Sequence, residues 1–164
     1  PQNPKTPSCI QTNYLLNKKI MNNIIGSELR LGAQKVGLEA LGDIKFVAIY
    51  FGAHWAPPCR LFTKTLTEFY NETNKSQKQV EVVFVSIDGN EAAFERNFKE
   101  MPWLAVPYTD EPRIAALKQR FGINGIPTMV LVDNQGNLVT YDARKDIQKD
   151  PAECIKKWDE EHKQ

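Results

Sequence analysis

The chain is short of the residues that mark the commonest special chemistries. It has three cysteines, Cys9, Cys59 and Cys154, and none lies close in sequence to another. That excludes a disulfide framework and a zinc site built from closely spaced cysteines. An odd, small number of thiols fits a reducing compartment, the cytoplasm or the nucleus. Histidine is scarcer still, and His54 and His162 form no metal-ligand spacing. Charge of one sign is lacking as well: 21 basic side chains face 20 acidic ones, a net charge of +1. Neither nucleic acid nor an anionic membrane is therefore expected as the main partner. No apolar run approaches the roughly 20 residues that cross a bilayer. The N-terminus has no apolar segment of the signal-peptide kind. The chain opens on Pro1 rather than Met, as a processed or trimmed product does.

What is present is the make-up of an ordinary globular domain. Hydrophobic residues are 41% and charged residues 25% of 164, enough for one domain with its own core. Residues 1–13 hold three prolines and read as a mobile tail. Leu15, Leu16, Ile20, Met21, Ile24 and Ile25 suggest the apolar side of a short helix. The division expected is an extension over 1–23 and a domain over 24–164. Leu29, Leu31, Val36 and Leu38 alternate as a small hairpin does. Lys45–Phe51, Val80–Ile87 and Thr128–Val132 read as buried strands. Helical spacing follows Pro57 and Asn90, and recurs from Ile114 to Phe121, where Gly122 stops it. Pro107–Thr109 suggests a short edge segment, Leu138–Thr140 a returning hairpin strand, and Pro151 the start of a last helix. The order predicts a central mixed sheet with helices on both faces.

The chemistry concentrates in His54-Trp55-Ala56-Pro57-Pro58-Cys59-Arg60, between a buried strand and a helix start. Backbone N–H groups and the helix dipole there favour an anion, and a thiolate at such a place is stabilised. Two cysteines spaced across that turn form and break a disulfide, the outer one attacking and the inner one resolving. Here the outer position is Ala56. Trp55 is placed to cover the site, Pro57 and Pro58 stiffen the turn, and Arg60 adds positive charge near Cys59. A second piece is Gly125-Ile126-Pro127-Thr128. Proline at a strand entry belongs to a loop, and a cis Ile126–Pro127 bond suits it. Such a loop offers the Ile126 backbone to an extended peptide.

These stretches, with Phe84–Asp88 and Met101–Pro107, resemble a thioredoxin-fold protein of the tryparedoxin and nucleoredoxin branch. That branch carries Trp-Cys-Pro-Pro-Cys-Arg where this chain has Trp55–Arg60. The resemblance covers about Ile24 to Trp158. It implies an α/β thioredoxin-like sheet, and a protein-disulfide oxidoreductase needing no metal or other cofactor. A disulfide-containing protein or peptide would be its substrate and a dithiol its electron donor. It marks Cys59 as the resolving-type thiol and Ala56 as the place of the missing nucleophile. Trp55, Trp103 and the Ile126-Pro127 loop fall where the family lines its substrate face. With Ala56 the dithiol cycle is disabled, and Cys at 56 would restore it. Ala56 reads equally as a natural loss or as an engineered change. Tyr50 stands where many thioredoxins keep a buried aspartate, so Cys59 is expected to be a sluggish thiol. Two further readings stand beside this one: a non-catalytic binding module, and a monothiol forming mixed disulfides through Cys59. For Trp103, packing and substrate contact are both open. Cys154, Ile155 and Trp158 read as core or its boundary, Cys9 as an exposed thiol, and His54 as non-catalytic.

Overall fold

A computed structural model describes residues 7–162. Its centre is a seven-stranded sheet in the order β2-β1-β5-β4-β3-β6-β7. The strands are β1 (Leu29–Leu31), β2 (Gln34–Val36), β3 (Phe46–Gly52), β4 (Val80–Ser86), β5 (Leu104–Ala105), β6 (Thr128–Asp133) and β7 (Leu138–Thr140). β3 runs parallel to β4, and β4 to β5, while the other pairs are antiparallel. Every residue of β3 and β4 is buried. Apart from Glu81 and Ser86 of β4, these strands are apolar on both faces, which is why they are readable as continuous runs.

The helices are α1 (Pro7–Ile25), α2 (Pro57–Thr73), α3 (Glu91–Phe98), α4 (Glu111–Phe121), α5 (Ala143–Lys149) and α6 (Cys154–His162). Strand alternation divides the core in two. Phe46, Ala48 and Tyr50 of β3 join Phe62, Leu66 and Phe69 of α2 and Trp158 of α6 on one face. Val47, Ile49 and Phe51 join Met21, Ile24 and Ile25 of α1 and Leu117 of α4 on the other. Trp158 sets its ring edge-on to Phe46, the first residue of β3, and to Phe69, with centroids 6.1 and 5.8 Å apart. Truncating a fully covered aromatic of this kind costs about 3–5 kcal/mol.

Local signals set the element ends where nothing opposed them. Asn90 caps α3 by accepting from the Ala93 N–H at 2.8 Å. Gly122 ends α4 in the left-handed region, with φ at 60°, where a Cβ is disfavoured. Four expectations need correction. α1 begins at Pro7, inside the span read as a tail, because proline is tolerated in a first helical turn and the chain has no glycine before Gly26. Residues 1–6, and the side chain of Cys9, lie outside what the structure describes. The short strand is Leu104–Ala105, not Pro107–Thr109, and it is interior, held between β1 and β4. Leu38 leaves the hairpin for a 3-10 turn, Leu38–Leu41. The C-terminal helix starts at Cys154 rather than Pro151, after a separate α5.

Candidate functional site

The sheet register builds the site. Gly52 at the end of β3 lies opposite Ser86 of β4, and Phe51 lies opposite Thr128 of β6. The loop leaving β3 is thus flanked by Asp88 on one side and by Ile126–Pro127 on the other. The Ile126–Pro127 bond is cis. Pro127 is buried and Ile126 half-buried, so the loop shows its isoleucine and backbone rather than its proline ring.

Asp88 fixes the loop. Its carboxylate accepts from the His54 N–H at 2.8 Å and from the Ser86 hydroxyl at 2.6 Å. From the far side, Arg60 donates to the His54 carbonyl at 2.6 Å. The loop so held turns Trp55 outward, 63% exposed, while Ala56 is buried. His54 is exposed and enters these bonds through its backbone.

Ala56 is the N-cap of α2, with extended backbone and no side-chain cap bond. A Ser, Thr, Asp or Asn cap would add about 1 kcal/mol, so residue 56 contributes nothing to capping. Pro57 and Pro58 occupy the first two helical positions and carry no N–H. The next two N–H groups, of Cys59 and Arg60, both point to the Ala56 carbonyl, at 3.0 and 3.3 Å. The helix mouth expected to cradle an anion therefore offers the dipole without free donors.

Cys59 is a free, buried thiol. Burial pushes its pKa up, and Asp88 pushes the same way. The Ala53 backbone and the Arg144 and Arg60 guanidinium groups pull it down without reversing the shift. Below it, the Cys59 carbonyl accepts from Thr63 at 2.9 Å and faces the Tyr50 hydroxyl at 3.1 Å. Burial holds that Tyr50 hydroxyl neutral, far above its ordinary range. Tyr50 thus anchors the first turn of α2 and does not stand in for an aspartate base. Burial and Asp88 both push Cys59 in the direction that the sequence reading expects of a slow thiol.

Trp55, Pro57, Pro58, Arg60 and Ile126 gather around the loop, with Ala56, Cys59 and Pro127 buried beneath. Trp103 does not join them. Its exposure is 0%, and its ring packs edge-on against Tyr70 at 5.5 Å in the α2-covered core. The substrate-contact reading of Trp103 is thereby corrected to packing, since no part of the ring reaches the surface. Cys154 lies on α6, whose Trp158 packs on Phe46 at the opposite end of β3. Sequence reasoning missed Asp88 and Arg144 as site residues. A Ser-x-Asp at the end of a buried strand was the available signal for the first. Nothing near Arg144 marked its helix.

The geometry defines a thioredoxin-like protein: a thiol under the first turn of a helix, faced by a cis-proline loop at the neighbouring strand. The family model for thioredoxin-like domains matches residues 43–138, and the chain belongs to that family. Nucleoredoxins and tryparedoxins are among its relatives. Nucleoredoxin of Danio rerio is 44% identical over 135 residues, 82% of this chain but 32% of its own length. Tryparedoxin of Trypanosoma brucei brucei is 39% identical over 127 residues, covering 76% of this chain and 88% of that protein. The structure of tryparedoxin II complexed with glutathionylspermidine superposes with a TM-score of 0.72 at 36% identity, over 77% of this chain and 88% of that one. The chain is a thioredoxin-like domain related to nucleoredoxins and tryparedoxins, and it spans about a third of the length of the curated nucleoredoxin from Danio rerio.

Proposed function

We propose that this chain keeps the substrate platform of a protein-disulfide oxidoreductase and, with alanine at position 56, holds a partner polypeptide without turning it over. The observation that carries this reading is position 56 itself. The residue at the helix mouth has no sulfur, and the thiol beside it, Cys59, is buried and shifted towards its neutral form. A buried, protonated thiol neither attacks a disulfide nor reaches glutathione readily, which weighs against a monothiol role. The platform of Trp55, Pro57, Pro58 and Arg60 beside Ile126–Pro127 is intact and suits an extended peptide bearing a thiol or disulfide. The functional unit we assign is residues 24–164, with 1–23 an extension that carries most of α1, whose last residues Ile24 and Ile25 lie in the unit's core. Its place is a reducing compartment, the cytoplasm or the nucleus.

The test is insulin reduction driven by dithiothreitol, comparing the chain with Ala56→Cys. In the variant, a thiolate at 56 attacks the insulin disulfide, giving a mixed disulfide and one free insulin thiol. The Cys59 thiolate then attacks that mixed disulfide, releasing the second insulin thiol and leaving a 56–59 disulfide for dithiothreitol to reduce. The parent is expected at background and the variant at thioredoxin-like turnover. A folded but inert variant would show that the platform has lost more than one thiol, and the oxidoreductase geometry would fall with it.

A further inference from the structure

The far end of α2 carries a surface that the redox lineage does not explain. A groove of about 700 Å3 runs between the C-terminal half of α2 and the turn before α6. Its floor is apolar, made by Phe69 and Ile155 of the helix-covered core, and Pro151 lies along it. Its rim carries Glu68 and Glu72, four residues apart on one face of α2 and both exposed. Among the described residues no lysine or arginine lines the groove. Neither carboxylate has an ion-pair partner among them. Like charges at this spacing repel each other. Glu72 also stands in the last turn of α2, which holds no basic residue, where the helix dipole already places negative charge. The fold leaves an unmatched negative rim over an apolar trough, and a cation with an aliphatic body is what complements both.

We propose that this groove docks a basic amphipathic segment of a partner protein. Its Lys or Arg side chains meet Glu68 and Glu72, and its aliphatic side chains lie on Phe69 and Ile155. A bare polyamine satisfies the rim but leaves the trough wet, and an acidic segment is repelled. At about 1.5 Å per residue, α2 holds the middle of this groove, at Phe69, roughly 15 Å from its own first turn. A partner seated here therefore leaves the Trp55 and Ile126–Pro127 platform free, whatever occupies position 56.

The test uses the whole chain and a fluorescein-labelled amphipathic Lys/Leu helix peptide, followed by anisotropy and by amide chemical-shift mapping. Saturable binding is expected, with the largest shifts around Phe69, Glu72 and Ile155 and with affinity falling as salt is added. The double variant Glu68→Lys, Glu72→Lys is expected to bind at least about tenfold more weakly. Both positions are exposed, and a circular dichroism melt confirms that the variant is folded. Shifts confined to another face, or equal binding by the double variant, would overturn the proposal. So would spermine or an all-lysine peptide binding as tightly as the Lys/Leu peptide.

Discussion

Cys59 and Cys154 are both free thiols, each 2% exposed, and each stands in the first turn of a helix. Burial is the largest influence on both and raises both. They part in their neighbours. Around Cys59 the Ala53 backbone, Arg144 and Arg60 work against burial, and only Asp88 adds to it. Around Cys154, Asp146 and Asp150 both add to burial, and the thiol is pushed up to about 12. Its Sγ lies 3.2 Å from the Asp150 carbonyl and donates to it. A helix start therefore does not make a thiol reactive by itself. Desolvation is the largest influence at both sites, and the charged residues alongside set the two thiols apart.

The widest separation should appear in alkylation. The thiolate fraction at a given pH falls tenfold for each unit of pKa. Cys154, raised from an ordinary 9.0 to about 12, should react with iodoacetamide at pH 8 about a thousandfold more slowly than in the unfolded chain. Cys59 should fall between the two. Peptide mass mapping over a time course gives both rates from one sample, and equal native rates would break the distinction. Next in size is the effect of giving Cys59 a partner. The variant Ala56→Cys, Cys154→Ala should match Ala56→Cys alone in insulin reduction, at least about a hundredfold above the parent. A large loss in the double variant would mean that Cys154 enters the cycle from the far end of β3.

A smaller effect concerns stability against pH. The Cys154 pKa is higher folded than unfolded, so the protonated thiol stabilises the fold fully below pH 9 and progressively less as pH rises towards 12. Urea midpoints between pH 9 and 10.5 should drop more steeply for the parent than for Cys154→Ala. The cavity left by the substitution shifts the variant's midpoints by a constant, so the comparison is of slopes. Parallel slopes would show that the thiol is no better protonated in the folded chain than in the unfolded one.

The two thiols also mark how far the sequence could be read. Cys59 was placed by a dense local pattern: a seven-residue buried strand, a break, two prolines and a helical repeat. Each of those is a short-range signal, and each agrees with the next. The charges that set Cys59 apart were not readable in the same way. Asp88 arrives through the parallel pairing of β4 with β3, and Arg144 through α5. α5 buries only Ala143 and Ile147, too few apolar positions to announce a helix. β5 is two residues long and has no period at all. Trp103 suits packing and a site equally in sequence, because its side is fixed by which face of the sheet the entry to β5 presents. That face depends on β5 lying inside the sheet rather than at its edge, which pairing with β1 and β4 decides.

The smallest predicted effect tests the charge half of the comparison directly. Arg144 acts on Cys59 across space, from α5 to α2, and lowers the thiol's pKa. Replacing it by glutamine removes the charge and keeps most of the aliphatic stem, so the packing of α5 should persist. Native alkylation of Cys59 should then slow about two- to threefold, the scale of a single charge acting through a partly solvated path. Cys154, whose neighbours are Asp146, Asp150 and Lys157, should keep its rate. That second rate separates charge from packing: a loosened α5 would expose both thiols and speed both reactions. If Cys59 keeps its rate while the fold is unchanged, Arg144 is solvated away from the site. Only the Ala53 backbone and Arg60 would then oppose burial at Cys59.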